Sequence, residues 1–188
     1  LKAFEYTGNH PIKDKAFNDF LVSSYGFATQ SDGYIDPQAA DFAEKCEKVT
    51  TCNMLSYTNQ QQITSLEGIE FFPKLRILAI IDAPIKQVDL TSNPNLTELY
   101  IARGLLTQID LSHTPQLTQV VLYGNRLSTL DLSSTTGIRS PLIVGNQTDG
   151  NGNVRVLELY LPQVLLENWN STWSSHAKNV NVNLHMVN

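Results

Sequence analysis

Along the middle of this chain, apolar residues return to the same places every 21 residues. The unit "IKQVDLTSNPNLTELYIARGL" begins at Ile85, "LTQIDLSHTPQLTQVVLYGNR" at Leu106 and "LSTLDLSSTTGIRSPLIVGNQ" at Leu127. Within each, one apolar pair comes early, at Val88 and Leu90, Ile109 and Leu111, Leu130 and Leu132. A second set follows at Leu96, Leu99 and Ile101, then at Leu117, Val120 and Leu122. Upstream, Leu75, Leu78, Ile80 and Ile85 keep the spacing after one extra residue in "ITSLEGIEFFPKL". Earlier still, Val49, Cys52 and Met54 fit, with Ile63 delayed by the polar insertion "YTNQQQ". Downstream, Val154, Leu157 and Leu159 resume the pattern after the loop "TDGNGN". The alternation in the second set predicts one short strand per unit, and constant spacing predicts parallel stacking of those strands.

Written out, the spacing is L-x-x-L-x-L-x-x-N-x-L, with Asn125 and Asn146 at the N place, which is the leucine-rich repeat signature. It predicts an α/β fold, a right-handed solenoid of about six short parallel strands. One unit alone buries too little apolar surface to offset the entropy of ordering it, so the array is stable only as an array. Its ends must then be sealed. "PIKDKAFNDFLVSSYGF" places Ile12, Phe17, Phe20, Leu21 and Tyr25 near one helical face. "DPQAADFAEKCEKV" predicts a second helix with Asp36 as N-cap and Pro37 at its first position. At the other end, "LPQVLLENWNSTW" reads as a short helix offering Trp169 and Trp173, and "NVNVNLHMV" as a final strand. The expected organisation is a helical cap over 1–48, repeats over 49–161 and a mixed cap over 162–188, in one continuous domain.

Strand residues that alternate with the inward set face outward, on the concave wall of such a coil. They read Thr51, Asn53 and Leu55; Ile77, Ala79 and Ile81; Glu98, Tyr100 and Ala102; Gln119, Val121 and Tyr123. The series continues with Ser140, Leu142 and Val144, then Val156, Glu158 and Tyr160. For a solvated face this is very apolar. Ile77, Ile81, Tyr100, Val121, Tyr123, Leu142 and Val144 predict a contiguous contact patch, with Arg103 and Asp82 at the rim supplying polar specificity and Glu98, Glu158 and Tyr160 completing the expected binding face. The expected occupant is a protein or peptide. A glycan stacked on the tyrosines and a structural spacer or adhesin stalk are the rival readings. Pro141 stands where Leu99 and Val120 stand in earlier units, and proline cannot donate to a ladder, so the strand there is expected to bend or shift.

The rest of the sequence narrows the function classes. At 188 residues with a formal charge of −5, and without a basic run, the chain is not expected to bind nucleic acid. No apolar stretch reaches the roughly 18 residues a membrane span needs. No P-loop, G-x-S-x-G or paired-histidine spacing occurs, His10, His113, His176 and His185 are scattered, and no catalysis, cofactor or metal is expected. Asp89, Asp110 and Asp131, with Glu67 in register, read as a turn column that bonds nearby backbone, and "TDGNGN" as a Gly/Asn turn. Cys46 and Cys52 both point to the junction of cap and array, as a disulfide or as two buried thiols. The chain starts at Leu1 without Met, which reads as a trimmed sequence.

The runs "ITSLEGIEFFPKL", "QVDLTSNPNLTEL" and "LSTLDLSS" resemble exported leucine-rich repeat proteins of Bacteroidetes bacteria, with internalin-like repeats, over residues 12 to 147. In that family the N-terminal cap often carries an EF-hand-like loop. The matching stretch here, "ATQSDGYIDPQA", keeps Asp32, Gly33 and Ile35 but has Ala28, Gln30 and Ala39 in place of oxygen ligands, so it reads as a turn. The resemblance implies export to the cell surface or periplasm and a role in recognition. It implies no reaction.

Overall fold

The computed structural model describes residues 10–140, 143–145, 147–149, 151–177 and 180–188. Helix α1 (Lys15–Tyr25) starts at Asp14, whose Oδ1 accepts from the Phe17 amide at 3.0 Å. The second carboxylate oxygen accepts from the Thr64 amide and hydroxyl at 2.8 and 2.9 Å and from the Ser65 amide at 3.2 Å. One side chain thus caps the helix and fastens it to a distant turn. Phe17, Phe20 and Leu21 are buried on one face, as their spacing predicts; Ile12, expected on the same helix, is buried ahead of its start, and Gly26 ends the helix with φ 65°.

The second cap helix begins later than expected. Asp36 accepts from the Gln38 amide at 2.9 Å and closes a turn, and α2 runs from Phe42 to Lys48. An Asp-Pro pair serves a turn as well as a helix start, so the local sequence does not separate the two. Cys46 and Cys52 are free and buried. Burial pushes the Cys46 thiol up to about 12 and the Cys52 thiol higher still, so neither is a ready nucleophile.

The repeats supply the main sheet, with strands β1 (Thr51–Asn53), β2 (Ile77–Ile81), β3 (Glu98–Ala102) and β4 (Gln119–Val121) in that order. All three pairings are parallel. Leu78, Ile80, Leu99, Ile101, Val120 and Leu122 point inward and are buried together with Leu75, Leu96 and Leu117 in one continuous core.

A fifth rung follows, displaced by one residue. Thr118 O accepts from the Arg139 and Ser140 amides just as Arg76 O accepts from those of Thr97 and Glu98, so the 21-residue step still holds at Ser140. Val121 then pairs with Ile143, a step of 22. The change falls between Ser140 and Ile143; Pro141, where the strand was expected to bend or shift, and Leu142 lie outside the described residues. Ile143 therefore takes the outward place, and Val144, expected on the outer face, is fully buried. The same shift moves the ladder amide from the expected Asn146 to Gln147, while Asn146 itself lies outside the described residues.

The chain's last repeats depart further from expectation. Strand β6 (Val156–Pro162) pairs with β5 (Thr129–Asp131) and β7 (Asn181–Val187) in a separate parallel sheet of order β5-β6-β7. Strand β5 belongs to the return half of the coil, between β4 and the rung at Ile143. Leu157, Leu159 and Leu161 are buried, so the inward alternation holds, but it lines the return side rather than the main sheet. Each unit carries an apolar alternation on both halves, and period two alone cannot say which half a strand continues. Beyond β6, α3 (Leu166–Ser171) and a short 3-10 turn (Trp173–His176) bury Trp169 and Trp173 against the end of the core.

Candidate binding face

Strand register sorts the outward residues of the main sheet into rows. The first is Thr51, Ile77, Glu98 and Gln119; the second is Asn53, Ala79, Tyr100, Val121 and Ile143. The third runs from Ile81 to Ala102 and on to Tyr123 and Gly145, through the bonds Arg103 N to Tyr123 O and Gly124 N to Gly145 O. Ile77, Ile81, Glu98, Tyr100 and Tyr123 are each partly exposed, whereas Val121 is buried on the outer side between larger neighbours. Ala79 and Ala102 are likewise covered.

Where β2 and β3 end, Asp82 and Arg103 adopt left-handed backbone at φ 60° and 50°, and Gly124 repeats this at 70°. A Cβ on Gly124 would lie 3.1 Å from both Cα and Cγ of Arg103, so glycine leaves room for the arginine. Non-glycine residues at positive φ are held there by their surroundings. Here the holding groups are visible: Arg103 Nε and Nη2 each reach an Asp82 carboxylate oxygen at 2.5 Å. Nη1 donates to the Tyr123 hydroxyl at 2.7 Å, and the guanidinium sits 5.8 Å from that ring's centroid. The Arg103 hydrogen bond holds the Asp82 carboxyl below its ordinary value. Both partners are half-exposed, so the pair adds little to folding stability. Its effect is geometric: it fixes a polar corner and orients Tyr123, one place beyond Ala102 in the row that starts at Ile81. Burial, and secondarily Glu98, raises the Tyr100 phenol, whose hydroxyl lies 3.4 Å from a Glu98 oxygen.

Not every expected site residue joins this surface. Ile77, Ile81, Glu98, Tyr100, Val121, Tyr123 and, at the rim, Arg103 come together. Val144 faces the core, and Leu142 lies outside the described residues. Glu158 and Tyr160 stand on the second sheet, level with Thr129 and Asp131, because β6 pairs with β5. There Glu158 accepts from Asn183 Nδ2 at 2.8 Å and meets His185 Nε2 at 2.6 Å, while the rings of Tyr160 and His185 stack at 4.5 Å. Ile143 is the residue the sequence reading missed. Pro141 was the signal that the count slips just before it.

The three aspartates of the acidic column on the coil's return side are turn acceptors, whereas Glu67, expected to join them, pairs with Lys13 instead. Asp89 accepts from the Thr91 amide at 2.9 Å, Asp110 from the Ser112 amide at 2.9 Å and Asp131 from the Ser133 amide at 2.8 Å. Asp149 does the same for the amides of Asn151 and Asn153 at 2.8 and 2.9 Å. Hydrogen bonds lower three of these carboxyls, from the Thr91 amide and then its hydroxyl for Asp89, from the Ser112 hydroxyl and then its amide for Asp110, and from the Asn153 side chain and then the Asn153 and Asn151 amides for Asp149; His185 followed by Asn183 lowers Glu158. A carboxyl depressed on folding contributes stability above its unfolded value, about 4, and loses it as pH falls through the lower folded value. The denaturation midpoint is expected to stay level from about pH 7 to 5 and to fall below about pH 4. A urea titration across that range checks this; a midpoint that held or rose in acid would contradict it.

No family model matches the sequence, and no curated protein is similar to it. Among solved structures, the fold is similar to the internalin InlF of Listeria monocytogenes, with a TM-score of 0.59 and 17% identity over 94% of this chain. The chain spans about half of that protein, 52% of its length. The functional domain of InlJ from Listeria monocytogenes is also similar, at 19% identity over 78% of this chain and 38% of that one, with a TM-score of 0.40. What the likeness to InlF shows is the fold: this chain winds as an internalin-like leucine-rich repeat coil.

Proposed function

We propose that the chain is a non-catalytic binding module that holds a protein or peptide against the outer face of its main sheet. The observation that carries this is the contiguous surface of Ile77, Ile81, Tyr100 and Tyr123, partly exposed on adjacent strands and bordered by the Arg103–Asp82 corner. Apolar patches rimmed by polar groups favour association, and tyrosines with fixed hydroxyls are efficient anchors. The C-terminal strand β7 is engaged with β6 in the other sheet, which is consistent with a face left free for a partner. Export to the cell surface or periplasm belongs to the same proposal, on the resemblance of the repeats. Among the described residues, no helix is long and apolar enough to cross a membrane.

The test is the double variant Tyr100→Ala with Tyr123→Ala. Both rings are only partly buried, so the unfolding free energy is expected to drop by no more than about 2 kcal/mol. A partner retained by the native chain from the source cells' surface fraction is expected to be lost by the variant. A collapse of stability would make the rings structural and remove the proposal.

A further inference from the structure

The strand face places a demand on whatever covers it. Glu98 stands on β3, an interior strand, flanked in register by Ile77 and Gln119, with Tyr100 two residues along on the same side. The residue is partly buried, and its carboxylate meets the Tyr100 hydroxyl at a long 3.4 Å. Among the described residues no lysine, arginine or histidine lies within ion-pair distance of it. The nearby rim offers no cation either, because Asp82 already takes Arg103 in a two-point bond. Among the described residues, the face therefore carries an uncompensated negative charge at Glu98, set among isoleucine and tyrosine.

Resting on the reading of this face as a docking surface, we infer that its occupant is a polypeptide segment presenting a lysine or arginine to Glu98 between apolar side chains that cover Ile77, Ile81 and Tyr100. A partner that seals this face strips water from the carboxylate. Desolvating an unpaired charge is unfavourable unless the incoming surface supplies the opposite one. An acidic or wholly apolar segment would bury Glu98 uncompensated, so the face selects against it. The same charge sets partner choice without contributing to the fold.

Random twelve-residue peptides displayed on phage and panned on the whole chain provide the probe. Peptides enriched on the native chain are expected to carry Lys or Arg next to aromatic or aliphatic residues. Synthesised and measured by fluorescence anisotropy, they should bind Glu98→Gln at least about tenfold more weakly. Replacing their basic residue with Gln should weaken binding to the native chain by a similar factor but leave binding to Glu98→Gln nearly unchanged. Panning on Glu98→Lys should turn the preference toward Asp and Glu. The variant Tyr100→Ala with Tyr123→Ala should weaken every peptide whatever its charge. Peptides that need the two tyrosines but show no basic preference, or bind Glu98→Gln equally well, overturn the charge inference and leave the docking face standing. Enrichment that ignores the tyrosines, or tyrosine-dependent binding of a glycan or of a second copy of the chain in place of peptides, overturns both.

Discussion

Replacing Asn125 with Ala is expected to destabilise the protein by about 2–6 kcal/mol, out of proportion to the few atoms removed. Asn125 is 1% exposed and lies within the core of the coil. Its Nδ2 donates to Ile101 O at 2.7 Å and Leu122 O at 2.9 Å, and its Oδ1 accepts from the Leu106 amide at 3.2 Å. These are backbone groups of two successive turns, and water does not reach them. With alanine, Leu122 O keeps the Gln147 amide at 2.8 Å, but Ile101 O and Leu106 N lose the partner this side chain supplies. Each buried group left alone costs about 1–3 kcal/mol, which sets the expected range. Urea unfolding gives the number. Asn125→Asp separates shape from chemistry: it keeps the acceptor for Leu106 N but turns a negative oxygen toward two carbonyls. It should be at least as damaging at neutral pH and should recover part of the loss in mild acid, where the native protein is still stable. A change below about 0.5 kcal/mol for Asn125→Ala would mean that the amide ladder does not hold the turns together.

The neighbouring rungs explain how far this could be read from the sequence. One unit back the place is Gly104, and a Cβ there would lie 2.9 Å from Asn125 Oδ1; the missing side chain leaves space for the amide. One unit on, Gln147 makes the same three bonds, to Leu122 O, Val144 O and the Leu127 amide. The consensus therefore identifies Asn125 but points to Asn146 rather than Gln147, because a count of 21 cannot register one extra residue after Ser140. That single slip also turns Val144 inward and Ile143 outward. Inward positions were legible because burial imposes a strict periodicity on them, and the outward rows of β1–β4 followed from it. Assignment of Glu158 and Tyr160 failed for a different reason. Their strand repeats an alternation common to both halves of the coil, and only long-range pairing with β5 decides its sheet. The ion pair between Arg103 and Asp82 was foreshadowed by their spacing of one repeat, but the left-handed backbone that aims them is not encoded by either residue type.

The second large effect lies at the other end of the coil. Gly68→Ala is expected to cost about 2–5 kcal/mol, from two sources that a control can separate. Gly68 has φ 103°, where an alanine pays about 1–2 kcal/mol for its Cβ alone. That Cβ would also fall 2.2 Å from Ile12 Cδ1 and 2.8 Å from Pro11 O. The methyl could turn aside, but the carbonyl is backbone, so the segment leading into α1 must move, at about 1–3 kcal/mol for overpacking. Gly152→Ala provides the comparison, since its φ is 83° with no atom within 4 Å of the added carbon. It should lose only the dihedral cost, about 1 kcal/mol. The consequence for Gly68→Ala is local before it is global. Ile12, 2% exposed, seals the cap against the repeats, and lifting it uncovers the first rung. Hydrogen exchange should therefore speed up first across α1 and at the Thr64 and Ser65 amides that Asp14 holds, while the amides of β3 and β4 stay protected until global unfolding. Equal losses for Gly68→Ala and Gly152→Ala, with no early exchange in α1, would show that the cap does not depend on the close approach at Gly68.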